Sequence, residues 1–208
     1  ATVCNGRAVH SDGSTGTNDW GGGIVVDSNA KLIMNDGSAV TGCSAEQGGG
    51  IYLSGEMELN GGTISGNTAV DYYRPGITQS AHGGAILIRA NRADYDESYA
   101  VPAKLTMTGG NIQNNKAASD LSAFGGAVAI LGTPKNTVDL TNEFIMTGGT
   151  ISGNTAGYGG AISVYAADRY WNGNASVKIS GNAEITQNTG RNGSGAIALW
   201  TSKADNYT

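Results

Sequence analysis

The sequence predicts an all-β fold, a right-handed parallel β-helix of about six coils, and three observations lead to this prediction. The string 146–156 (MTGGTISGNTA) recurs almost unchanged at 59–69 and in looser form at 107–117, 180–190 and 34–45. A second string, Gly-Gly followed by Gly or Ala and then Ile or Val, accompanies the copies. Glycine makes up 34 of the 208 residues, which favours tightly turned β-structure over helix. Repeats of this kind are typical of solenoids, which stack one short unit on the next.

The first strand of each repeat begins at the Gly-Gly string and continues into alternating apolar residues. Its inward pairs are Ile24/Val26, Ile51/Leu53, Ile86/Ile88, Val128/Ile130, Ile162/Val164 and Ile197/Leu199. We expect the residues between and beside them to face outward in three columns. The first column is Gly23, Gly50, Ala85, Ala127, Ala161 and Ala196; the second is Val25, Tyr52, Leu87, Ala129, Ser163 and Ala198; the third is Asp27, Ser54, Arg89, Leu131, Tyr165 and Trp200.

The second strand carries all four methionines of the chain, where a flexible apolar side chain can fill gaps between coils. Its apolar pairs are Leu32/Met34, Met57/Leu59, Leu105/Met107, Phe144/Met146 and Val177/Ile179. The third strand is the TISGNTA string. Its aligned asparagines predict an internal ladder in which stacked amides satisfy one another and the backbone; they are Asn67, Asn115, Asn154 and Asn188.

Repeats differ in length, and the extra residues fall at two places that flank the first strand. One set follows the strand, at 89–103, 131–142, 166–176 and from 201 onward, and the other precedes it, at 10–20, 70–82, 118–124 and 191–194. Insertions on one face are the usual sign of a binding face on a solenoid. Small residues between long loops predict a trough.

Aromatic rings beside carboxylates and amides suit a carbohydrate, because sugar C–H faces stack on rings and hydroxyls bond to polar groups. The residues expected to bind it are Tyr52, Arg89, Asp94, Asp96, Tyr165, Asp168, Tyr170, Trp171 and Trp200. The alternative for any single ring is that it packs a loop against the solenoid. His82 shares its alignment column with Trp20, Gln47, Phe124 and Tyr158, which indicates a packing residue at the end of a loop.

The Gly-Gly-Ala-Ile strings and the TISGNTA copies resemble the right-handed β-helix repeats of bacterial surface proteins, including polymorphic outer-membrane proteins and large adhesins of gut bacteria. The resemblance covers almost the whole chain. It implies an extracellular module on the bacterial cell surface whose partner is a glycan or glycoprotein. We expect residues 1–208 to form one domain. Because the chain starts and stops within a repeat, we also expect a longer protein whose remaining chain contacts both ends.

Two other functions are open from the sequence. A glycoside hydrolase needs two carboxyl groups on either side of one bond, and Asp12 and Asp19 stand seven residues apart before Trp20 and its glycines. That pair resembles the two-aspartate arrangement of the β-helix lacto-N-biosidase family, which implies catalytic aspartates acting on milk-type oligosaccharides. The third function is that of a structural spacer without a site. Unequal loops on one face argue against it.

Composition excludes several other classes. A net charge of −5 gives no electrostatic basis for binding nucleic acid, and no apolar run approaches the ~20 residues that span a bilayer. The two histidines, His10 and His82, lack metal-ligand spacing, so we expect neither a metal nor a cofactor. Cys43 takes an inward asparagine position and Cys4 aligns with an outward one, which does not favour a disulfide between them.

Overall fold

The computed structural model describes residues 1–8, 19–71, 80–90, 101–119, 122–132, 140–165 and 174–200. These residues form short β-strands in five parallel sheets. The described part of the chain contains no helix, and therefore none that is long and apolar enough to cross a membrane. The pairing is consistent with a parallel β-solenoid, because the neighbour of each strand in a sheet is the equivalent strand of the next repeat.

The two sheets that follow the Gly-Gly string correspond to the first and second predicted strands. The first sheet contains β2 (Ile24–Val26), β6 (Ile51–Leu53), β11 (Ile86–Ile88), β16 (Val128–Leu131), β20 (Ile162–Tyr165) and β24 (Ile197–Trp200). The second sheet contains β3 (Lys31–Met34), β7 (Glu56–Leu59), β12 (Lys104–Met107), β17 (Thr141–Met146) and β21 (Asn174–Ile179). Ile51 pairs with Ile86 and Leu59 with Met107, as the aligned repeats predict.

The third predicted strand is divided in two by the turn that carries the asparagines. Before the turn lies the third sheet, with β1 (Thr2–Cys4), β4 (Ala39–Thr41), β8 (Thr63–Ser65), β13 (Asn111–Gln113), β18 (Thr150–Ser152) and β22 (Glu184–Thr186). After it lies the fourth, with β5 (Ser44–Ala45), β9 (Thr68–Val70), β14 (Lys116–Ala118), β19 (Thr155–Ala156) and β23 (Thr189–Gly190). A fifth sheet pairs β10 (Ala81–His82) with β15 (Ala123–Phe124).

The core is a continuous column of apolar side chains, mainly from the first three sheets. All four methionines lie in it at 4 % exposure or less, which confirms their predicted position between stacked repeats. A fully buried Leu, Ile or Met contributes about 1.5–3 kcal/mol relative to an exposed one. Cys43 is also buried in this core, whereas Cys4 is exposed, and both thiols are free.

The asparagine ladder is present and fully bonded within the turn. Oδ1 of Asn115 accepts hydrogen bonds from the backbone N of Asn67 at 2.9 Å and from its Nδ2 at 3.0 Å. The same pair of bonds links Asn115 to Asn154 and Asn154 to Asn188, at 2.9–3.0 Å. Because buried amides without partners are costly, the ladder fixes which residues stack and thus the register of the repeats.

The predicted direction of the Gly/Ala column was wrong. Ala85, Ala127 and Ala161 belong to the interior cluster, and a Cβ added at Gly50 would lie 3.1 Å from the Asn67 side chain. The alternation fails here because two successive amides donate to one carbonyl: the N atoms of Ala85 and Ile86 both bond to the O of Ala127, at 3.0 and 2.9 Å. The two residues therefore do not face opposite sides, and the trough has two outward columns instead of three.

The outer face of the second sheet carries charges of alternating sign along the stack. Lys31, Glu56, Lys104 and Glu143 follow one another in register. Glu143 accepts a hydrogen bond from the Nζ of Lys178 at 2.5 Å, and this bond lowers the pKa of the Glu143 carboxyl. If every repeat carried the same charge at this position, like charges would be neighbours along the stack and would repel one another. Because the sign alternates, each charge lies next to an opposite one and attracts it.

Candidate functional site

An outward corner of the solenoid lies where the chain enters the Gly-Gly turn. Five residues stack there by parallel bridges, namely Trp20, Gln47, His82, Phe124 and Tyr158. The glycine that follows each of them has a positive φ, between +57° and +68°. The chain turns at these glycines into the first sheet, so the stacked residues and the outward columns of that sheet come together. We call this surface the outer corner.

Contacts across the outer corner follow a diagonal rule, in which a stacked residue of one repeat contacts the outward column of the next. Phe124 lies 4.8 Å from Tyr165, and Tyr158 lies 5.0 Å from Trp200, between ring centroids. The polar version of this contact is the hydrogen bond from Arg89 Nη1 to Gln47 Oε1, at 2.7 Å.

Trp20 begins the corner with a different partner. Its ring stacks on Tyr52 at 4.7 Å with an interplanar angle of 9°. Tyr52 is only 2 % exposed and belongs to a cluster with Leu87, Ala129 and Leu131. Burial raises the pKa of the Tyr52 phenol, with the nearby Arg89 charge acting in the opposite direction. Tyr52 therefore packs the corner and offers no open face to a sugar.

The diagonal rule is interrupted at His82. Its partner in the next repeat would be Leu131, which is aliphatic, and the ring that approaches His82 instead is Tyr165, at 6.2 Å from two repeats away. His82 also stacks on Phe124 at 5.2 Å. Burial, with a smaller effect from the Arg89 charge, lowers the pKa of His82 to about 3. His82 is thus a neutral imidazole at pH 7, packed among aromatic rings as its alignment column indicates.

The sixth repeat is the last one that the structure describes along the outer corner. Tyr165 and Trp200 pair in register on β20 and β24, and Trp200 is 41 % exposed. Tyr158, Tyr165 and Trp200 form what we call the aromatic patch. The loop 191–194 borders it, since a Cβ added at Gly193 would lie 3.0 Å from Cδ1 of Tyr158. Arg191 and Asn192 of this loop are exposed.

Three buried polar atoms along the outer corner have no hydrogen-bond partner within the part of the chain that the structure describes. They are Nε1 of Trp20, Nδ1 of His82 and Oγ of Ser163. Ser163 lies on β20 between Ala129 and Ala198, with no exposed surface. Buried polar groups in native proteins nearly always have a partner, so these three atoms are exceptions to that rule.

Comparison of the chain with protein-family models, with curated proteins and with solved structures gives no match.

Of the residues expected to bind sugar, the structure describes four. Tyr165 and Trp200 come together in the aromatic patch. Tyr52 and Arg89 lie on the same corner in earlier repeats, where Tyr52 stacks on Trp20 and Arg89 donates a hydrogen bond to Gln47. The other expected residues lie outside the described part of the chain: Asp94, Asp96, Asp168, Tyr170 and Trp171.

The proposed aspartate pair is only half described. Asp12 lies outside the described residues, and Asp19 is buried at 3 % exposure. The carbonyl of Asp19 accepts a hydrogen bond from the backbone N of Glu46 at 3.2 Å, and Glu46 is buried at 2 %. These two acidic residues hold the position that Ala81 and Ala123 occupy in later repeats, where the alanines form a small inner cluster.

Tyr158 is the patch residue that the sequence reasoning did not select. The aligned repeats place Tyr158 in the packing column before the Gly-Gly turn, and Tyr158 does lie in that column. Its contact with Trp200 follows from the diagonal offset of one repeat, which an alignment of repeats in register does not reveal.

The described residues contain no group of three or more His, Cys, Asp or Glu side chains that could hold a metal ion.

Proposed function

We propose that this chain is a right-handed β-helix of about six coils that belongs to an extracellular bacterial surface protein and binds glycans at its outer corner. The aromatic patch carries the proposal. It places three rings on two neighbouring repeats, with Trp200 exposed to solvent at 41 %. The surface location rests on the likeness of the repeats to those of bacterial surface proteins.

The patch has the two kinds of group that sugar binding uses. Its rings offer apolar faces on which the C–H face of a pyranose can stack. The exposed Arg191 and Asn192 beside Tyr158 offer hydrogen-bond donors and, for the amide, an acceptor. Their loop is held by backbone bonds from Arg191 N to Ala156 O at 3.0 Å and from Asn192 N to Gly157 O at 2.8 Å. A fixed loop lowers the entropic cost of binding.

The glycosidase alternative has weaker support. Hydrolysis needs two carboxyl groups that face one glycosidic bond, about 5–9.5 Å apart. Asp19 is almost fully buried, and at the patch itself the described residues are aromatic, small or amide-bearing, together with Arg191. We therefore expect binding without turnover. Release of sugar from milk-type or mucin oligosaccharides, lost on Asp19→Asn, would favour the enzyme instead.

A glycan array followed by calorimetric titration of the best ligand tests the binding proposal. We expect Trp200→Ala to weaken binding about tenfold, since ring stacking contributes about 0.5–1.5 kcal/mol beyond area burial. The matched control is Ile33→Ala, because Ile33 is similarly exposed, at 51 %, on the second sheet away from the corner. Absence of any glycan ligand, or equal losses in the two variants, would overturn the proposal.

A further inference from the structure

Three Asn-Gly pairs lie in the part of the chain that the structure describes, and they begin at Asn5, Asn60 and Asn192. In such a pair the backbone N of the glycine can attack Cγ of the asparagine side chain, because glycine has no Cβ to hinder the approach. The attack forms a cyclic succinimide and releases ammonia, and it is one reason why asparagine is thermolabile. The three pairs share this local sequence and differ in the contacts that hold them.

Asn60 is held on both sides by neighbouring repeats. Its Nδ2 donates a hydrogen bond to Oδ1 of Asn35 at 3.3 Å, and its Oδ1 accepts one from Oγ1 of Thr108 at 3.0 Å. The backbone N of Gly61, which is the atom that would attack, donates to the carbonyl O of Met34 at 3.3 Å. Closure of the succinimide ring at this pair would therefore break hydrogen bonds at both of the reacting groups.

Asn5 is held by its backbone and by the packing of its amide. Its φ is +56°, and its backbone N donates to the carbonyl O of Thr41 at 3.0 Å. A Cβ added at Gly42 would lie 2.7 Å from Oδ1 of Asn5, so the amide packs closely against the next repeat. A Cβ added at Gly6 would overlap the carbonyl O of Gly22. Neighbouring backbone therefore opposes movement of either residue of this pair toward the other.

Asn192 differs from both, because only the backbone on its N-terminal side is bonded. The backbone N of Asn192 donates to the carbonyl O of Gly157 at 2.8 Å. Within the described part of the chain, neither the side chain of Asn192 nor the backbone N of Gly193 makes a hydrogen bond. Asn192 is also exposed. The amide can therefore rotate toward the attacking nitrogen without breaking a hydrogen bond.

We propose that Asn192 is a site of spontaneous deamidation, and that it reacts in the folded chain well before Asn5 and Asn60. The backbone N of Gly193 loses its proton and forms a bond to Cγ of Asn192. The bond from Cγ to Nδ2 breaks, and Nδ2 takes up the proton and leaves as ammonia. Water then opens the succinimide at Cγ, which gives an aspartate, or at the backbone carbonyl carbon, which gives an isoaspartate.

Both products change the border of the aromatic patch. A carboxylate at position 192 accepts hydrogen bonds and donates none, whereas the amide does both. It also places a negative charge next in the chain to the exposed Arg191. An isoaspartate lengthens the backbone immediately before Gly193, where an added Cβ would lie 3.0 Å from Cδ1 of Tyr158. The inference itself does not depend on the proposed glycan function.

Peptide mapping by mass spectrometry after incubation of the folded chain in mildly alkaline buffer tests the proposal. Base accelerates the reaction, because the attacking nitrogen must lose its proton. We expect the peptide with Asn192 to convert about tenfold faster than those with Asn5 or Asn60, since hydrogen bonds and packing must open before those pairs react. A sample unfolded in urea is the matched control. All three pairs should convert there at similar rates, because only the shared Asn-Gly sequence remains.

Two variants separate the effect of the structure from that of the sequence. Asn192→Gln should abolish the conversion in its peptide and leave the thermal midpoint unchanged, because this side chain is exposed and makes no hydrogen bond within the described chain. Thr108→Ala removes one bond to the amide of Asn60 and should speed conversion at Asn60 without changing the rate at Asn192. Equal rates at Asn60 and Asn192 in the folded chain, or conversion of Asn192 only in urea, would overturn the proposal.

Discussion

Asn154 accepts hydrogen bonds on one side-chain oxygen from both nitrogen atoms of Asn115, from the backbone N at 2.9 Å and from Nδ2 at 3.0 Å. Oδ1 of Asn154 thus provides an acceptor for two donors in the turn of the preceding repeat. Oδ1 of Asn188 does the same for the two nitrogen atoms of Asn154. Asn115 and Asn154 are therefore each a donor to one neighbouring asparagine and an acceptor for the other. Removing an asparagine side chain inside the ladder therefore removes hydrogen bonds to both neighbouring repeats.

Asn115→Ala tests this dependence. It leaves the backbone N and Nδ2 of Asn67 without the oxygen that now accepts from both. Because a buried donor without an acceptor costs about 1–3 kcal/mol, we expect the free energy of unfolding to fall by about 2–5 kcal/mol in urea titrations followed by circular dichroism. Gln113→Ala, an outward change two residues away, should stay within about 0.5 kcal/mol. Equal effects would show that the ladder does not hold the turn.

Cys43→Asn should extend the ladder by one residue. The backbone N of Cys43 already donates to Oδ1 of Asn67 at 3.0 Å, and a new amide would add a second donor to that oxygen. Space is adequate, because Gly23 stands beside Cys43 as Gly50 stands beside Asn67. We expect a gain of about 1 kcal/mol, or about 2–4 °C in the thermal midpoint.

The control for that gain is Cys43→Ala. It removes the thiol without adding an amide and leaves a small cavity, so it should lower the thermal midpoint. If Cys43→Asn behaves like Cys43→Ala, the additional amide has found no partner and the ladder ends at Asn67.

The sequence was most informative where the same residue recurs in successive repeats. Ile51 on Ile86, and Asn67 on Asn115, are pairs that alignment of the repeats predicts and the structure contains. The register of Tyr165 with Trp200 follows in the same way. In a solenoid each repeat contacts only the repeats before and after it. Alignment of the repeats is therefore enough to predict which residues stack in register.

Two features could not be predicted from that alignment. The side chains in the column of Ala85 point inward because two adjacent backbone amides donate to one carbonyl. This hydrogen-bonding pattern does not depend on a particular residue type, so the sequence does not show it. The diagonal contact of Tyr158 with Trp200 joins residues that occupy different columns in different repeats. Its prediction requires the angle between two sheets, and alternation along a strand does not give that angle.

His82 should make the chain less stable in mild acid. Its pKa in the folded protein is about 3, against about 6.5 when unfolded. Between these values the unfolded chain binds a proton that the folded chain does not, so stability rises with pH through this window and falls as the pH drops below about 6.5. The slope approaches about 1.4 kcal/mol per pH unit for one proton.

His82→Phe removes this titration and retains a ring to stack on Phe124. We expect its free energy of unfolding to vary less between pH 4 and 6.5 than that of the unmodified chain, measured by urea titration at several pH values. Carboxylates contribute to both curves at the acid end, so the difference between the two proteins is the quantity to compare. A constant difference across this range would mean that His82 is protonated in the folded chain.

Gly83 and Gly37 share a backbone conformation and differ in their surroundings, with φ of +67° and +77°. A Cβ at Gly83 would lie 2.2 Å from the carbonyl O of Ile86, whereas nothing lies within 4 Å of a Cβ at Gly37. Left-handed backbone costs an L-residue about 1–2 kcal/mol. Gly37→Ala should therefore lower the free energy of unfolding by about that amount.

Gly83→Ala should cost a further 1–3 kcal/mol, the usual range for steric overlap that the backbone must relieve. The clash is with the chain's own turn into β11, so no side-chain rotamer can avoid it. Urea unfolding of both variants measures the difference directly. Equal costs would mean that conformation alone selects glycine before each first strand, and that the turn can open without disturbing the pairing of Ile86 with Ile51 and Val128.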